Sequence, residues 1–290
     1  MNNHSPSPHP TTFSTEDIKN YYDHTEAHYR QFWKLDESMG LHYGIWDNST
    51  RTLAEAIRNT NAQLAGMGDI LPYDVVLDAG CGVGGSAIFL AKIIGCKVTG
   101  ITISDRQVAT ATRYARQHGV QDLVHFETMD YTATQFPGHT FDVVWAIESM
   151  QTAANKSLFF REMQRILKPG GRLLLADVFK VGNWQTGQTP LMQDMLHGWA
   201  MSDILTIEEL AVLLEKHSFA LKQNRCVTEE ISPSIRRIRW AALAGMLGTK
   251  WYNLFHHATH FSKVHYKTGL AQYRAWKQGL WAYHLIEIEN

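Results

Sequence analysis

The positions able to do chemistry in this 290-residue chain begin with an acid that opens a run of glycines, Asp78-Ala-Gly80-Cys-Gly82-Val-Gly84-Gly85. Glycines at a strand-to-helix turn let backbone approach a ligand closely, and the helix start offers free N–H groups. The same letters satisfy both GxGxG and the dinucleotide spacing GxGxxG, so the loop alone does not choose its ligand. A dinucleotide site expects an acid near the end of the second strand for the ribose hydroxyls. Here that strand ends Gly100-Ile101-Thr102-Ile103-Ser104, and no acid follows before Asp105. Further polar groups close later apolar runs, at Asp130-Tyr131 and Glu148-Ser149, and His197 sits in the segment MLHGWAM. His256 and His260 stand four apart, a spacing that can share a metal, with His257 and His265 beside them. No HExxH glutamate or nearby acid pair completes a metal site, so these read as surface or packed histidines. Arg236, Arg237, Arg239 and Lys250 have the charge for a diphosphate, but flanking WAALAGML they read as the wet face of a helix.

Strands must end where these groups stand. Short apolar runs occur at 75–78, 97–103, 124–129, 141–147 and 172–179, separated by helical segments SAIFLAKII, Asp105 to Gly119, and LFFREMQRILK. That alternation implies parallel βαβ units and a sheet covered on both faces, with ligands beyond the strands' C-terminal ends. Residues 14–64 read as helical and aromatic-rich, and Thr206 with Glu209 is a capping-box spacing that starts a helix. FALKQNRCV (219–227) reads as a strand, Ser232-Pro233 opens a helical stretch to about Gln278, and LWAYHLIEIE (280–289) closes the chain as a buried strand. The expected organisation is a polar tail (1–12), a helical lid (13–70), a ligand-binding core (71–230), a helical insertion as cap (231–279) and a last core strand (280–290). This is one α/β core, not two domains.

Composition narrows the class. With 27 Lys+Arg against 28 Asp+Glu the net charge is -1, which argues against bulk nucleic acid or an anionic membrane surface as partner. Three cysteines without a CxxC argue against a disulfide scaffold or zinc knuckle, and fit a reduced, cytoplasmic protein. No stretch approaches the roughly 20 apolar residues of a membrane span, and the first residues lack a signal-peptide pattern.

The ordered set Asp78-AGCGVGG, GITIS (100–104), Met129-Asp130-Tyr131, FDVVWAIES (141–149) and ILKPGGRLLLADV (166–178) resembles a class I S-adenosylmethionine-dependent methyltransferase. Within that superfamily the chain is similar to the small-molecule group holding tocopherol and sterol C-methyltransferases, over roughly residues 18–225, including YYD (21–23) and LHYGIWD (41–47). The resemblance implies a Rossmann-like, doubly wound, mostly parallel seven-stranded sheet with helices on both faces. It implies that Gly80, Gly82 and Gly84 lie under the cofactor's amino-acid end, with Asp78 reaching its ammonium directly or through water. Thr102 and Gln107, with Ser104, are implied for the ribose, Asp130 with Tyr131 for the adenine, Glu148 beside the reactive methyl, and Tyr22 as part of a lid. Each has a plainer reading: Asp78 as a helix cap, Thr102 as a buried β-branched strand residue, Asp130 as a solvated loop acid, Tyr22 as helix packing. Two positions depart from the group, which commonly has a His where Thr152 stands and an Asp where Asn155 stands.

The implied activity is methyl transfer from S-adenosylmethionine to a hydrophobic small molecule, with S-adenosylhomocysteine as product. C-methylation of an isoprenoid or phenolic acceptor leads, ahead of O- or N-methylation. Glu148 and His197 are the candidate bases and Asp177 a reserve, and Met192, Met195, Trp199 and Met201 suggest an apolar pocket. Self-association through the helical cap is expected. An NAD-dependent oxidoreductase and a non-catalytic S-adenosylmethionine-binding protein are the readings from other classes.

Overall fold

A computed structural model describes residues 13–19, 35–184, 189–252 and 260–290, the side chains of 247–252 and 260–265 excepted. A helical turn, Leu35–Ser38, leads into an irregular loop at 39–52. The helical reading of 14–64 is corrected there. The Asp47 carboxylate accepts from the N–H groups of Ser49 and Thr50 at 2.8 and 3.0 Å, a local turn that competes with helix. Gly44 presses against Ala56, and the Ile45 N–H donates both to the Ala56 carbonyl at 3.1 Å and to Thr60 Oγ1 at 2.9 Å. The loop's backbone is thus satisfied by the Asp47 turn, by the next helix and by more distant partners, among them the Glu230 carbonyl at 2.9 Å, and not by helical turns of its own.

That helix is α1, Leu53–Met67, opened by a Thr52–Glu55 capping box. Then follow β1 (Val75–Ala79), α2 (Gly85–Ile93), β2 (Lys97–Thr102), α3 (Asp105–Gln117), β3 (Val124–Thr128), β4 (Phe141–Ile147), α4 (Lys156–Ile166) and β5 (Leu167–Lys180). The remainder is α5 (Pro190–Gly198), α6 (Ile207–Lys216), β6 (Ala220–Cys226), α7 (Ser232–Tyr252), α8 (His260–Lys277) and β7 (Trp281–Glu289). Helix α3 buries Gln107, Thr110, Ala111, Tyr114 and Ala115, a single stripe at helical spacing. The capping box read at Thr206 and Glu209 starts α6. The stretch read from Ser232 to about Gln278 is described as two helices, with 253–259 outside the described residues.

The seven strands form one sheet in the order β3-β2-β1-β4-β5-β7-β6. β1 through β5 pair in parallel, while β7 runs antiparallel to both β5 and β6. The order reverses between β1 and β4, the switch point at which such sheets bind ligands. Because β7 runs backwards, its first residues lie at that same edge, with Tyr283 opposite Val178 and His284 opposite Asp177. Helices α7 and α8 pack on one another and α8 on α5 and β7, and α7 and α5 contribute Ile238 and Met195 to a cavity beyond the ligand edge. Cys81, Cys96 and Cys226 are free thiols, and among the described residues no helix is long and apolar enough to cross a membrane.

Candidate active site

A cavity of about 280 Å³ opens beyond the C-terminal ends of β1, β2, β4 and β5. It is lined by Asp78, Gly80, Gly82, Thr102, Gln107, Asp130 and Tyr131, together with Met39 to Tyr43, Glu148, Asp177, Met195, Trp199 and Met201. The sequence-predicted residues therefore meet in one place, with four exceptions.

The glycine loop leaves β1 in the left-handed region, with Gly80 at φ +96° and Gly82 at φ +52°. At Gly80 a Cβ would stand 2.5 Å from that of Ser149, so the loop lies directly against the end of β4. At Gly82 a Cβ would meet nothing within 4 Å, leaving backbone open toward the cavity. Gly84 is the first exception. It lies behind the loop, where a Cβ would press on Phe126 and Ala111 at 2.6 and 2.8 Å, so it sets helix-to-sheet packing and does not line the cavity.

Asp78 is 2 % exposed and lines the cavity, yet its Oδ2 accepts no hydrogen bond among the described residues. Burial pushes its carboxyl up to about 7, against the one stabilising donor, the Ala87 N–H. An orphaned carboxylate oxygen in a closed wall calls for a cationic or N–H donor from a ligand. The amino-acid ammonium of S-adenosylmethionine is such a donor, so the residues present fit that cofactor.

Thr102 and Gln107 are bonded to each other, Oγ1 to Oε1 at 2.6 Å, and both line the cavity. Ser104, the second exception, is fully buried and its hydroxyl caps α3 by accepting from the Gln107 N–H at 3.2 Å. Asp105 also stays out of the cavity wall, taking the Thr128 hydroxyl at 2.6 Å, so no acid stands where a dinucleotide's ribose needs one. Asp130 is half-buried two residues past β3, with Oδ1 taken by the N–H and hydroxyl of Thr132 at 2.8 and 2.7 Å. The Tyr131 hydroxyl donates to the Ser149 carbonyl at 2.9 Å and shares a 3.0 Å bond with Thr152 Oγ1. Thr152 thus ties Tyr131 to the end of β4. Asn155 caps α4 through the Leu158 N–H.

Glu148 has φ +48°, a strained conformation for a side chain, of order 1–3 kcal/mol, of the kind kept at functional sites. Its Oε1 accepts from the Tyr43 N–H at 2.7 Å and the Tyr283 hydroxyl at 2.8 Å. Burial, aided by the nearby Asp177 carboxyl, pushes Glu148 up to about 8, and the two hydrogen bonds oppose that rise. Asp177 is fully buried and raised to about 7 by desolvation, with its oxygens occupied by the N–H groups of Gln151 at 3.1 Å and Val178 at 2.8 Å. His42 lines the same wall, its Nδ1 bonded to the Tyr43 carbonyl at 2.9 Å, and burial lowers it to about 4, so the ring is neutral.

His197 is the third exception. It packs edge-on against Phe13 with ring centroids 5.5 Å apart, and its neighbours Met195 and Trp199, not His197, line the cavity. Helical spacing turns it away from the face those two present. Met192, grouped with them on sequence, is the fourth exception, fully buried in the core and absent from the cavity wall. Tyr22 lies outside the described residues, as do the side chains of His256, His257, His260, His265 and Lys250. Arg236 and Arg237 are exposed and Arg239 stacks over Tyr273 at 4.5 Å, and none of the three lines the cavity. Sequence reasoning missed Tyr43, Tyr283 and His42. The segment LHYGIWD signals the first and third, whereas Tyr283 carries only its alternation in the last strand.

Residues 76–171 match the family model described as a methyltransferase domain. The 27-O-demethylrifamycin SV methyltransferase of Amycolatopsis mediterranei is 42% identical over 149 residues, covering 51% of this chain and 55% of that protein, so the match spans about half the relative's length. Methyltransferase GfsG of Streptomyces halstedii is 32% identical over 224 residues, 77% of this chain and 79% of that one. The 2-methyl-6-phytyl-1,4-hydroquinone methyltransferase of Synechocystis sp. is 34% identical over 209 residues, 70% of this chain and 65% of that protein. Among solved structures, the cyclase SpnF shares the fold with a TM-score of 0.79 at 22% identity over 98% of both chains. A geranyl diphosphate C-methyltransferase from Streptomyces coelicolor, crystallised with S-adenosyl-L-homocysteine, shares it with a TM-score of 0.72 at 20% identity over 98% of this chain and 99% of that one.

Proposed function

Because the chain belongs to the class I S-adenosylmethionine-dependent methyltransferases, we propose that its cavity holds the methyl donor against a hydrophobic small-molecule acceptor and transfers the methyl group between them. The observation that carries the reading is the buried Asp78 carboxylate, whose Oδ2 in the cavity wall has no partner among the described residues. We assign Asp78 to the donor's ammonium and Gly80 and Gly82 to its amino-acid end. Thr102 and Gln107 take the ribose, Asp130 and Tyr131 the adenine, and Tyr22 belongs to a lid. Gly84 and Ser104 support this set from behind.

S-adenosylmethionine supplies an electrophilic methyl on a positive sulfonium: the acceptor's bond to carbon forms as the sulfur–methyl bond breaks, and the acceptor's proton is released. Glu148 is the base that takes that proton. It lines the cavity, its Oε1 is already fixed by two donors, and its raised proton affinity matches a base working near neutrality. Asp177 has both oxygens engaged by backbone and serves to hold Gln151. The apolar wall of Met195, Trp199, Met201 and Ile238 excludes water and favours a hydrophobic acceptor. C-methylation of an isoprenoid or phenolic natural product is the first reading, as the similarity to the hydroquinone methyltransferase supports. O-methylation is the second, favoured by the 42% identical relative named for an O-demethyl substrate. We further propose a cytoplasmic protein without a nucleic-acid partner, as the net charge of -1 supports, that self-associates through α7 and α8, an association that light scattering tests.

Calorimetry with S-adenosylmethionine and S-adenosylhomocysteine tests the cofactor half, and failure of both to bind sinks it. Labelled methyl donor incubated with an extract of the source cells tests the acceptor half. The expected product is a labelled small organic molecule, and label in protein or RNA instead would overturn the substrate class.

A further inference from the structure

Resting on the reading of Glu148 as the base, we propose that Tyr283, on the closing strand, is a positioning residue: its hydroxyl fixes one carboxylate oxygen of Glu148 and so keeps the other for the acceptor. The Tyr283 hydroxyl donates to Glu148 Oε1 at 2.8 Å, and the Tyr43 N–H donates to the same oxygen at 2.7 Å. Oε2 accepts no hydrogen bond among the described residues, although Glu148 forms part of the cavity wall. Two donors on one oxygen fix the rotation of the carboxyl group, which a single donor does not. Tyr283 is itself held. It is fully buried, its N–H donates to Thr228 Oγ1 at 2.8 Å, and its ring stands edge-on to Tyr43 at 5.4 Å. Tyr43 in turn stacks on Trp281 at 5.9 Å and its hydroxyl is bonded by Gln272 of α8. The closing strand and the cap thereby reach the reacting end of the cavity.

The groups facing Glu148 are few. Tyr43 comes from the 39–52 loop, Asp177 from β5 and Tyr283 from β7, and both phenols are kept neutral by burial. Burial and the Asp177 carboxyl both favour the protonated acid, and the two hydrogen bonds favour the carboxylate. Deleting the Tyr283 hydroxyl therefore tips Glu148 toward its protonated form at neutral pH. It also leaves the carboxyl free to rotate.

Infrared titration of the full, ligand-free chain tests this without an acceptor, the Glu148 band being assigned by its loss in Glu148→Gln. In Tyr283→Phe the midpoint should rise by about one to two pH units, the worth of one hydrogen bond to a charged group. Tyr43→Phe removes a hydroxyl from the same ring cluster but leaves both donors on Glu148, and its midpoint should stay in place. A midpoint unmoved in Tyr283→Phe, or moved equally by Tyr43→Phe, overturns the proposal. Turnover by Glu148→Gln at the unmodified rate would instead sink the base reading and leave the titration untouched.

Discussion

Burial holds the Asp78 carboxyl up at about 7 with only the Ala87 N–H to stabilise its charge. A cationic ligand placed on Oδ2 favours the ionised form, so binding and deprotonation are linked. Above pH 7 the carboxylate is already formed. Below it, each binding event must also release a proton, and affinity for S-adenosylmethionine should weaken steadily as the pH falls toward about 5. Asp78→Asn removes the charge and should weaken binding by roughly 10- to 100-fold at pH 8 and flatten its pH dependence. Calorimetry in two buffers of different ionisation enthalpy reads both the affinity and the released proton. Equal affinity at pH 6 and 8 for the unmodified chain would rule out Asp78 as the partner of the ammonium. Gly84 and Ser104 show the opposite lesson at the same scale. Their types and spacing fit a ligand loop, but close packing on Phe126 claims one and capping of α3 claims the other.

At the scale of elements, the packing of α8 on α5 rests on Gly198, where an added Cβ would collide with the Thr268 side chain. Two effects compete in Gly198→Ala. Alanine gains up to about 1 kcal/mol in helix propensity, while overpacking a fully buried contact costs about 1–3 kcal/mol. Thr268 is 1 % exposed and has nowhere to retreat, so overpacking wins. The urea midpoint should fall with an unchanged slope, and a raised midpoint would show that α8 is free to shift. The parallel strands and their ligand edge were legible in sequence because they depend on short apolar runs that stop at Asp78, Thr102 and Glu148. The capping box at Thr206 and Glu209 was legible because it is local. The 39–52 loop was not, since its backbone is satisfied by Ala56, Thr60 and Glu148, partners that no periodicity reveals. Nor was Tyr283: alternation gives the face of a strand, but the antiparallel pairing that sets Tyr283 opposite Val178 is a property of the assembled sheet.

Over the whole molecule, charge is nearly balanced at -1, but its buried share is one-sided at the ligand edge. Asp78 and Asp177 are raised to about 7 and Glu148 to about 8, each chiefly by burial. An acid raised on folding stabilises the fold fully below its unfolded value, near pH 4, and surrenders that contribution as pH climbs through the folded value. His42, lowered to about 4 by burial, acts the other way, but only below its unfolded value of about 6.5. Asp47, held near 2 by the hydroxyls and N–H groups of Ser49 and Thr50, is ionised in both states across this range. Lys156, lowered to about 8 by burial, adds its stabilising slope only above that value. Between about pH 6.5 and 8 the buried acids therefore act without opposition, and the direction is downward. The melting temperature of the ligand-free protein should fall across that window, measured by scanning calorimetry at constant ionic strength. S-adenosylmethionine gives Asp78 a partner, so in its presence the decline should be shallower and should match that of ligand-free Asp78→Asn. A ligand-free melting temperature that rises from pH 6.5 to 8 would mean that these three carboxyls are not raised on folding, and that the ligand edge is wetter than its burial indicates.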